Sequence, residues 1–434
     1  MKLLPLAASV ALAVLAQQAS AAFVEDTKAS LSMRNFAFDQ DYKNQGRDAK
    51  KSSDVREWGQ GFVLNVQSGF TEGTVGVGVD AIGLWGIRLD GGGKNNALFP
   101  QKHNGDAEFQ FGHAGITRKV RFTKTEARYG TLQPKLPILV SNDGRLLPQL
   151  FEGTYINSKE IDNVTLHAGL IEHAVGRAST NSTGLSVGGG KAQSNKFWFG
   201  GADWQAMPDL TLQYYYAKLE NFYQQNFLGG VYDYKIADNQ SLKTDLRYFR
   251  STGEGRNKKG AEHPDYRVGG YTKNGDGKID NNTWSAAFTY SIDHHSFMLG
   301  HQRVSEDSNF VYLNQGDIGE GAGGASFYLL TDRLANSFIR AGERTSFADY
   351  TYDFAGLGIQ GLKAGVTYLK GTNVKRAGQS NGSEWERDLR VDYTIQEGTF
   401  KGVGFGARHG VLRGNVSKDV DQSRLFVNYT PPLL

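Results

Sequence analysis

The 434-residue chain contains no cysteine, so neither a disulfide framework nor a thiolate metal site is open to it. Charge of one sign is missing too. Lysine and arginine exceed aspartate and glutamate by only three, so there is no global field, and any charge-based function must come from where the charges sit. Beyond the first residues no window approaches the ~18 apolar residues of a membrane helix, and mean hydropathy is negative. Proline is scarce, and three of its nine copies, Pro134, Pro137 and Pro148, fall in one stretch.

The chain does have alternation. From Thr74 to Asp90 the odd positions Val75, Val77, Val79, Ala81, Gly83, Trp85, Ile87 and Leu89 are apolar or small, while the even ones, including Gly76, Asp80, Gly86 and Arg88, are mostly small or charged. Side chains alternate across a strand, and this run exceeds the ~5–6 residues usual in soluble sheets. A tilted transmembrane strand needs about 9–11 residues, with its apolar face to lipid and its polar face to a lumen. Such a stripe occupies every second residue, which reconciles membrane crossing with negative mean hydropathy. The same phase recurs at Phe62, Leu64 and Val66, at Trp284, Phe288 and Ile292, at Leu389, Val391 and Tyr393, and at Val403, Phe405 and Ala407. Clusters such as Phe197-Trp198-Phe199 and Tyr214-Tyr215-Tyr216 suit interfacial girdles. A large soluble β-protein shares the alternation and is the plainer alternative.

Met1-Lys2, the apolar stretch from Leu3 to Ala16 and the small-residue site Ala19-Ser20-Ala21 read as a secretory signal peptide. Residues 1–21 are therefore assigned to the signal, and residues 22–434 to a single outer-membrane barrel domain. Short turns at Gly69–Gly73, Ser291–Ser296 and Glu397–Gly402 alternate with long hydrophilic stretches at Asp90–Asp106, Ser251–Asn282 and Ser305–Thr345. In bacterial barrels the short turns are periplasmic and the long loops extracellular. At about 20–24 residues per strand with its connection, the mature chain accommodates roughly 16–20 antiparallel strands, with 18 in the middle of that range.

Two segments have the composition to narrow the lumen. Thr131–Gly153 holds the three clustered prolines, Arg145, and apolar residues including Leu136, Ile138, Leu146 and Leu147. It is poor as a strand and too apolar to float free, so it is expected inside the barrel, with a covered extracellular loop as the alternative. Asn309–Leu334 carries Gly316, Gly319, Gly321, Gly323 and Gly324 with Asp317, Glu320 and Ser326, and its glycines admit close approach to another surface or a solute. It lacks the strand–glycine–helix setting of a phosphate loop. Asn274–Asp280 has the alternating oxygens of a calcium loop, but Thr272 and Thr283 stand where acids are needed, so it reads as a flexible extracellular loop. The pair His294-His295 falls in a short turn without a third ligand. No catalytic residue, metal or cofactor is assigned.

The mature chain resembles the OprD family of substrate-specific outer-membrane porins of pseudomonads. The resemblance rests on Ala22-Phe23-Val24-Glu25-Asp26, Arg34-Asn35-Phe36, Gln60-Gly61-Phe62, Ser68-Gly69-Phe70-Thr71-Glu72-Gly73-Thr74-Val75-Gly76, Tyr129-Gly130 with Gln133-Pro134, Arg145-Leu146-Leu147-Pro148-Gln149 and Gly321-Ala322-Gly323-Gly324. It implies an all-β transmembrane barrel of eighteen strands with long extracellular loops. It also implies a constriction of two infolded loops and a series of basic side chains guiding carboxylate-bearing nutrients. Family members that favour basic amino acids carry an acid just after the Gly-Gly. Here Ala325-Ser326 follow, which leans toward channels for aromatic or cyclic acids and away from arginine or lysine uptake.

Strand phase alone places several basic residues in the lumen. Arg34, Arg390, Arg408 and Arg424 face inward on four strands that barrel closure makes adjacent, and Arg121 extends the group toward the proline-rich loop. Clustered like charges need compensation, which a passing carboxylate supplies, and arginine's forked donors suit it. Pairing with local acids such as Glu386, Asp388 and Asp392 is the structural alternative. The functional expectation is passive, selective uptake of small carboxylates without catalysis. A porin for basic amino acids, a nonselective porin and a loop-based adhesin compete with it. An outer-membrane hydrolase is disfavoured because no local motif supplies a serine to His409. Expected partners are the carboxylate solutes, outer-membrane lipid and lipopolysaccharide, and the barrel-assembly machinery during insertion, with no nucleic acid. Monomer and homotrimer are both open.

Overall fold

The computed structural model describes residues 23–43, 54–92, 96–314, 325–431 and 433. The expected signal peptide, together with Asp317, Gly323 and Gly324, lies outside these residues. The described part is built almost wholly of strands joined in one antiparallel wall. The first seven are β1 (Lys28–Tyr42), β2 (Val55–Gln67), β3 (Val75–Gly91), β4 (Gln110–Phe122), β5 (Thr125–Leu132), β6 (Leu150–Ser158) and β7 (Val164–Val175). Then come β8 (Phe197–Met207), β9 (Leu210–Leu219), β10 (Tyr223–Ala237), β11 (Gln240–Gly253), β12 (Asp280–Ile292) and β13 (His295–Val304). The wall ends with β14 (Arg344–Asp353), β15 (Leu362–Val374), β16 (Gly382–Thr394), β17 (Gly404–Gly414) and β18 (Val420–Tyr429). Each strand pairs with its sequence neighbour, and β18 closes on β1 from Met33↔Tyr429 to Tyr42↔Val420. The result is an eighteen-stranded closed barrel.

Alternation decides which face each residue takes. On β3, Val75, Val77, Val79 and Trp85 are exposed on the outer surface, while Gly76, Gly78, Leu84 and Gly86 are buried on the inner one. Connections at one rim are tight, as at 123–124, 208–209, 238–239 and 293–294. At the other rim they lengthen to 92–109, 133–149, 176–196, 254–279 and 305–343. The hairpin at 293–294 is shorter than the expected turn Ser291–Ser296, because strand pairing continues to Ile292↔His295.

The interior is not uniformly polar. Inward-facing Phe197, Phe199, Tyr215, Phe227 and Phe249 form one apolar cluster with Leu136, Ile138 and Leu139 of segment 133–149 and Phe310, Val311 and Leu329 of segment 305–343. A second cluster joins Leu146 and Leu147 to Phe36, Phe38 and Phe99. Each fully buried leucine contributes about 1.5–3 kcal/mol relative to exposure, which offsets the entropy of ordering the loops. Glycine makes room for the first loop. A Cβ on Gly61 would lie 2.8 Å from the Leu146 carbonyl, and one on Gly59 would lie 2.9 Å from Leu146 Cδ2.

Candidate functional site: an arginine-lined constriction

Segments 133–149 and 305–343 meet within the barrel. The first folds as a small hairpin, with Lys135–Leu136 pairing Leu139–Val140 and Ser141 N donating to the Pro134 carbonyl at 2.9 Å. Pro148 is buried beside Leu147, and Gln149 N donates to Asn142 O at 2.8 Å. Val140 forms a bridge with Ser326, and Asn142 Nδ2 donates to Ala325 O at 2.9 Å. The second segment is tied to β16, whose inward carboxylates accept from its backbone and side chains. Ala335 N donates to Glu386 Oε1 at 2.8 Å, Asn336 Nδ2 donates to Glu384 Oε1 at 2.6 Å, and Arg340 pairs with Glu384.

Arg390, Arg408 and Arg424 face one another in register across β16, β17 and β18. Directly opposed residues have Cα atoms only about 4.5–5.5 Å apart, so three cations in a row repel unless compensated. Compensation is uneven. Arg390 forks onto Asp349 with two bonds of 2.7 Å and also donates to Thr367 Oγ1 at 2.9 Å and to Thr351. Its acid comes from β14, two strands away, and not from the same-face acids of its own strand. Arg408 Nη2 pairs with Asp392 at 2.6 Å, and its Nη1 donates to Val391 O at 3.0 Å. Arg424 donates to Gln422 Oε1 at 2.6 Å and to the Leu334 carbonyl at 2.7 Å, and makes a longer contact of 3.4 Å with Gly144 O. It has no direct carboxylate partner among the described residues.

Arg34 stands on β1 opposite Asn428, four positions along β18 from Arg424. It grips the first loop through Asp143 at 2.8 Å and the Arg145 carbonyl at 2.7 Å. Arg145 lies over the Phe38 ring at 4.4 Å, and Arg424 lies over the same ring at 6.0 Å. Arg177, in connection 176–196, donates to Asn142 Oδ1 at 3.1 Å. A Cβ on Gly144 would sit 3.8 Å from Arg177 Nη1 and 3.9 Å from Arg424 Nη1, so two guanidiniums flank this glycine.

Arg121 goes elsewhere. It pairs with Gly76 and Glu126 beside the 123–124 turn and stacks over Phe70 at 4.3 Å. The proline-rich segment leaves β5 at the opposite rim, so the expected extension of the group toward it does not occur.

The loop charges sense one another. Burial, then the Arg424 and Arg177 guanidiniums, push Arg145 well below the usual arginine value, with Glu57 opposing. Burial lowers Arg177 to about 10 against the pull of Asp332 and Asp143. Burial raises Asp332 to about 6, while Ser337, the Phe327 amide and Arg177 and Arg424 resist. A region where guanidiniums depress one another, with aromatic carbon beneath two of them, is chemically suited to a planar anion.

Phase reasoning missed Arg177, Phe38, Asp332 and Asp349. Arg177 was detectable only as a lone charge in Ala174-Val175-Gly176-Arg177-Ala178, and Asp332 and Asp349 are far in sequence from what they face. The fold also brings a serine to His409 that no local motif supplies. Ser423 Oγ lies 3.0 Å from His409 Nδ1 across β17 and β18, with no carboxylate on the other ring nitrogen among the described residues.

A family model described as outer membrane porin, OprD family, matches residues 21–433. The chain belongs to the OprD family. Porin D of Pseudomonas aeruginosa is 32% identical, with 98% of this chain and 96% of that protein covered. The crystal structure of Pseudomonas aeruginosa OccK8 (OprE) is 44% identical with a TM-score of 0.87, covering 95% of this chain and 100% of that one. Pseudomonas aeruginosa OpdK, solved with vanillate, is 32% identical with a TM-score of 0.83, covering 94% and 100%. As an OprD-family porin the chain resides in the outer membrane as a β-barrel, and its relatives are channels.

Proposed function

We propose that this porin is a passive channel selective for small carboxylate-bearing solutes, with a preference for aromatic or cyclic acids. The observation that carries the reading is the convergence of Arg424, Arg145 and Arg177 around Gly144 and Phe38, where Arg424 has no direct carboxylate partner among the described residues. A carboxylate can accept two parallel bonds from a guanidinium, and a flat ring can stack on a guanidinium plane. Ala325-Ser326, in place of an acid, removes one group that would greet a cationic solute. The vanillate in OpdK is an aromatic carboxylate held by a relative, which agrees with this preference. Transport needs no covalent chemistry. Binding has to be strong enough for entry and weak enough for release. Outer-membrane lipid and lipopolysaccharide would surround the lipid-facing stripes, and the barrel-assembly machinery would insert the barrel. As monomer or homotrimer, each barrel carries its own constriction.

The test is reversal potential and current noise of refolded protein in planar bilayers under a salt gradient, with benzoate and arginine added in turn. Anion selectivity with blocking events from benzoate supports the reading. Blocking by arginine alone would transfer the protein to basic amino acids, and ohmic current indifferent to both solutes would make it a general porin.

A further inference from the structure

The barrel wall is incomplete beside the first infolded loop. The β4–β5 pairing runs from Phe122↔Thr125 to Thr117↔Gly130 and stops, while β4 continues to Gln110 paired with β3. β5 leaves the wall at Leu132, and the wall resumes at Leu150 in β6. Gln110–Ile116 therefore has no strand partner on that side among the described residues, over roughly 23 Å at 3.3 Å per residue.

A cavity of about 800 Å³ fills the break, within the range of small-molecule sites. Its outer lip is lipid-facing in phase and made of small or apolar residues: Leu64, Ala81, Gly83, Ala114, Ile116 and Tyr129. Ile116 and Tyr129 are 63% and 53% exposed, and a Cβ on Gly83 would meet nothing nearer than Leu64 Cβ at 3.8 Å, so the lip is an open groove. Part of its lining is polar. Glu152 accepts from Ser182 Oγ at 2.6 Å, with His113 Nε2 at 3.8 Å and His173 Nδ1 at 3.9 Å. Glu172 adds a carboxylate with no hydrogen bond or ion pair among the described residues. Among the described residues no lysine or arginine lines the cavity. A lumen-side cavity of about 220 Å³ shares Ala81, Ile82 and Thr131 with it, and Thr131 packs so closely on Gly115 that a Cβ there would lie 2.0 Å from Thr131 Oγ1.

We propose that this break is a second binding site, opening toward the membrane instead of the pore axis, for an amphiphile with a primary amine head and a linear apolar chain. The ammonium group matches Glu152 and Glu172 in charge and donates to both. The chain lies along the groove floored by Ala81, Gly83 and Ala114. This chemistry is opposite in sign to the constriction's, so the two sites select different molecules.

The probe is a twelve-carbon alkylamine bearing a diazirine on its chain, added to the folded full-length porin in phospholipid vesicles, with cross-links mapped by peptide mass spectrometry. Labelling is expected to concentrate on residues 110–131, and to fall by at least about tenfold in the E152Q/E172Q variant, as loss of charge-assisted bonds implies. Ala114→Trp, which fills the groove, is expected to do the same, and it decides the matter if the double variant fails to show the heat-modifiability of a folded barrel. Labelling spread evenly around the lipid-facing strands, labelling unchanged in the folded variants, or equal labelling by the matching twelve-carbon carboxylate would overturn the proposal. Benzoate block at the constriction should be unaffected by these substitutions, which separates this test from that of the transport reading.

Discussion

Arg408 lies directly opposite Arg424, yet Arg408 is paired with Asp392 at 2.6 Å while Arg424 makes its bonds to the Gln422 amide oxygen and the Leu334 carbonyl. Neighbours in one row thus carry different electrostatic loads. A carboxylate arriving at Arg408 must compete with a resident acid, whereas at Arg424 it replaces neutral acceptors.

Removing Arg390 should cost stability more than selectivity. Its fork is engaged by Asp349, so Arg390→Ala leaves that acid without its cation in a mostly buried place. The expected destabilisation is about 1–3 kcal/mol, seen as a lower urea midpoint in vesicles. The D349A/R390A double variant should recover most of it. A double variant as unstable as R390A would show that the pair is not what holds β14 to β16.

Asp332 should make selectivity depend on pH. Its carboxyl sits at about 6, above the ordinary value, so it gains a proton as pH falls through that point and the constriction loses one negative charge. The reversal potential should become more anion-selective at pH 5 than at pH 7.5, and Asp332→Asn should hold the acidic-side selectivity at both. The stability sign is the reverse of a salt-bridged acid's. The native state binds the proton more tightly, so a penalty of order 3 kcal/mol grows between about pH 4 and 6 and is complete above. An unchanged pH response in the asparagine variant would assign the effect to another group.

Gly61→Val should dislodge the first loop. Its side chain would meet the Leu146 carbonyl, and overpacking of this kind costs about 1–3 kcal/mol. A wider pore follows, with single-channel conductance expected to rise while heat-modifiability persists. Unaltered conductance would mean that Leu146 is not what seats the loop.

Ala325→Asp should shift charge preference. Ala325 lies where the two loops meet, its carbonyl bonded to Asn142. Permeability to arginine relative to benzoate is expected to rise several-fold, about 1 kcal/mol in relative barrier. No shift would remove this position from the selectivity account.

Much of the wall was legible in the sequence because alternation has a local cause. Val75, Val77 and Val79 on one face and Gly76 and Gly78 on the other follow from strand geometry alone, and the inward phase of Arg390, Arg408, Arg424 and Arg34 is read the same way. Partners were not legible. Arg390 meets an acid forty-one residues earlier, and Arg34 meets Asp143 across a loop fold. These depend on strand stagger and on where an infolded segment comes to rest. Arg121 shows the same limit from the other side: its phase was readable, but its height along the barrel was not. The apolar filling inside the barrel was also hidden, since inward Phe227 and Phe249 look in sequence like any other alternating residues.

The most direct test of the central claim is the residence time of benzoate in single-channel recordings of wild type and Arg424→Ala, with Arg408→Ala alongside. Loss of a charge-assisted bond at Arg424, whose own direct bonds go to neutral acceptors, should shorten blocking events about tenfold or more in R424A, with a smaller change in R408A. Equal residence times in wild type and R424A would contradict the assignment of this constriction as a carboxylate site.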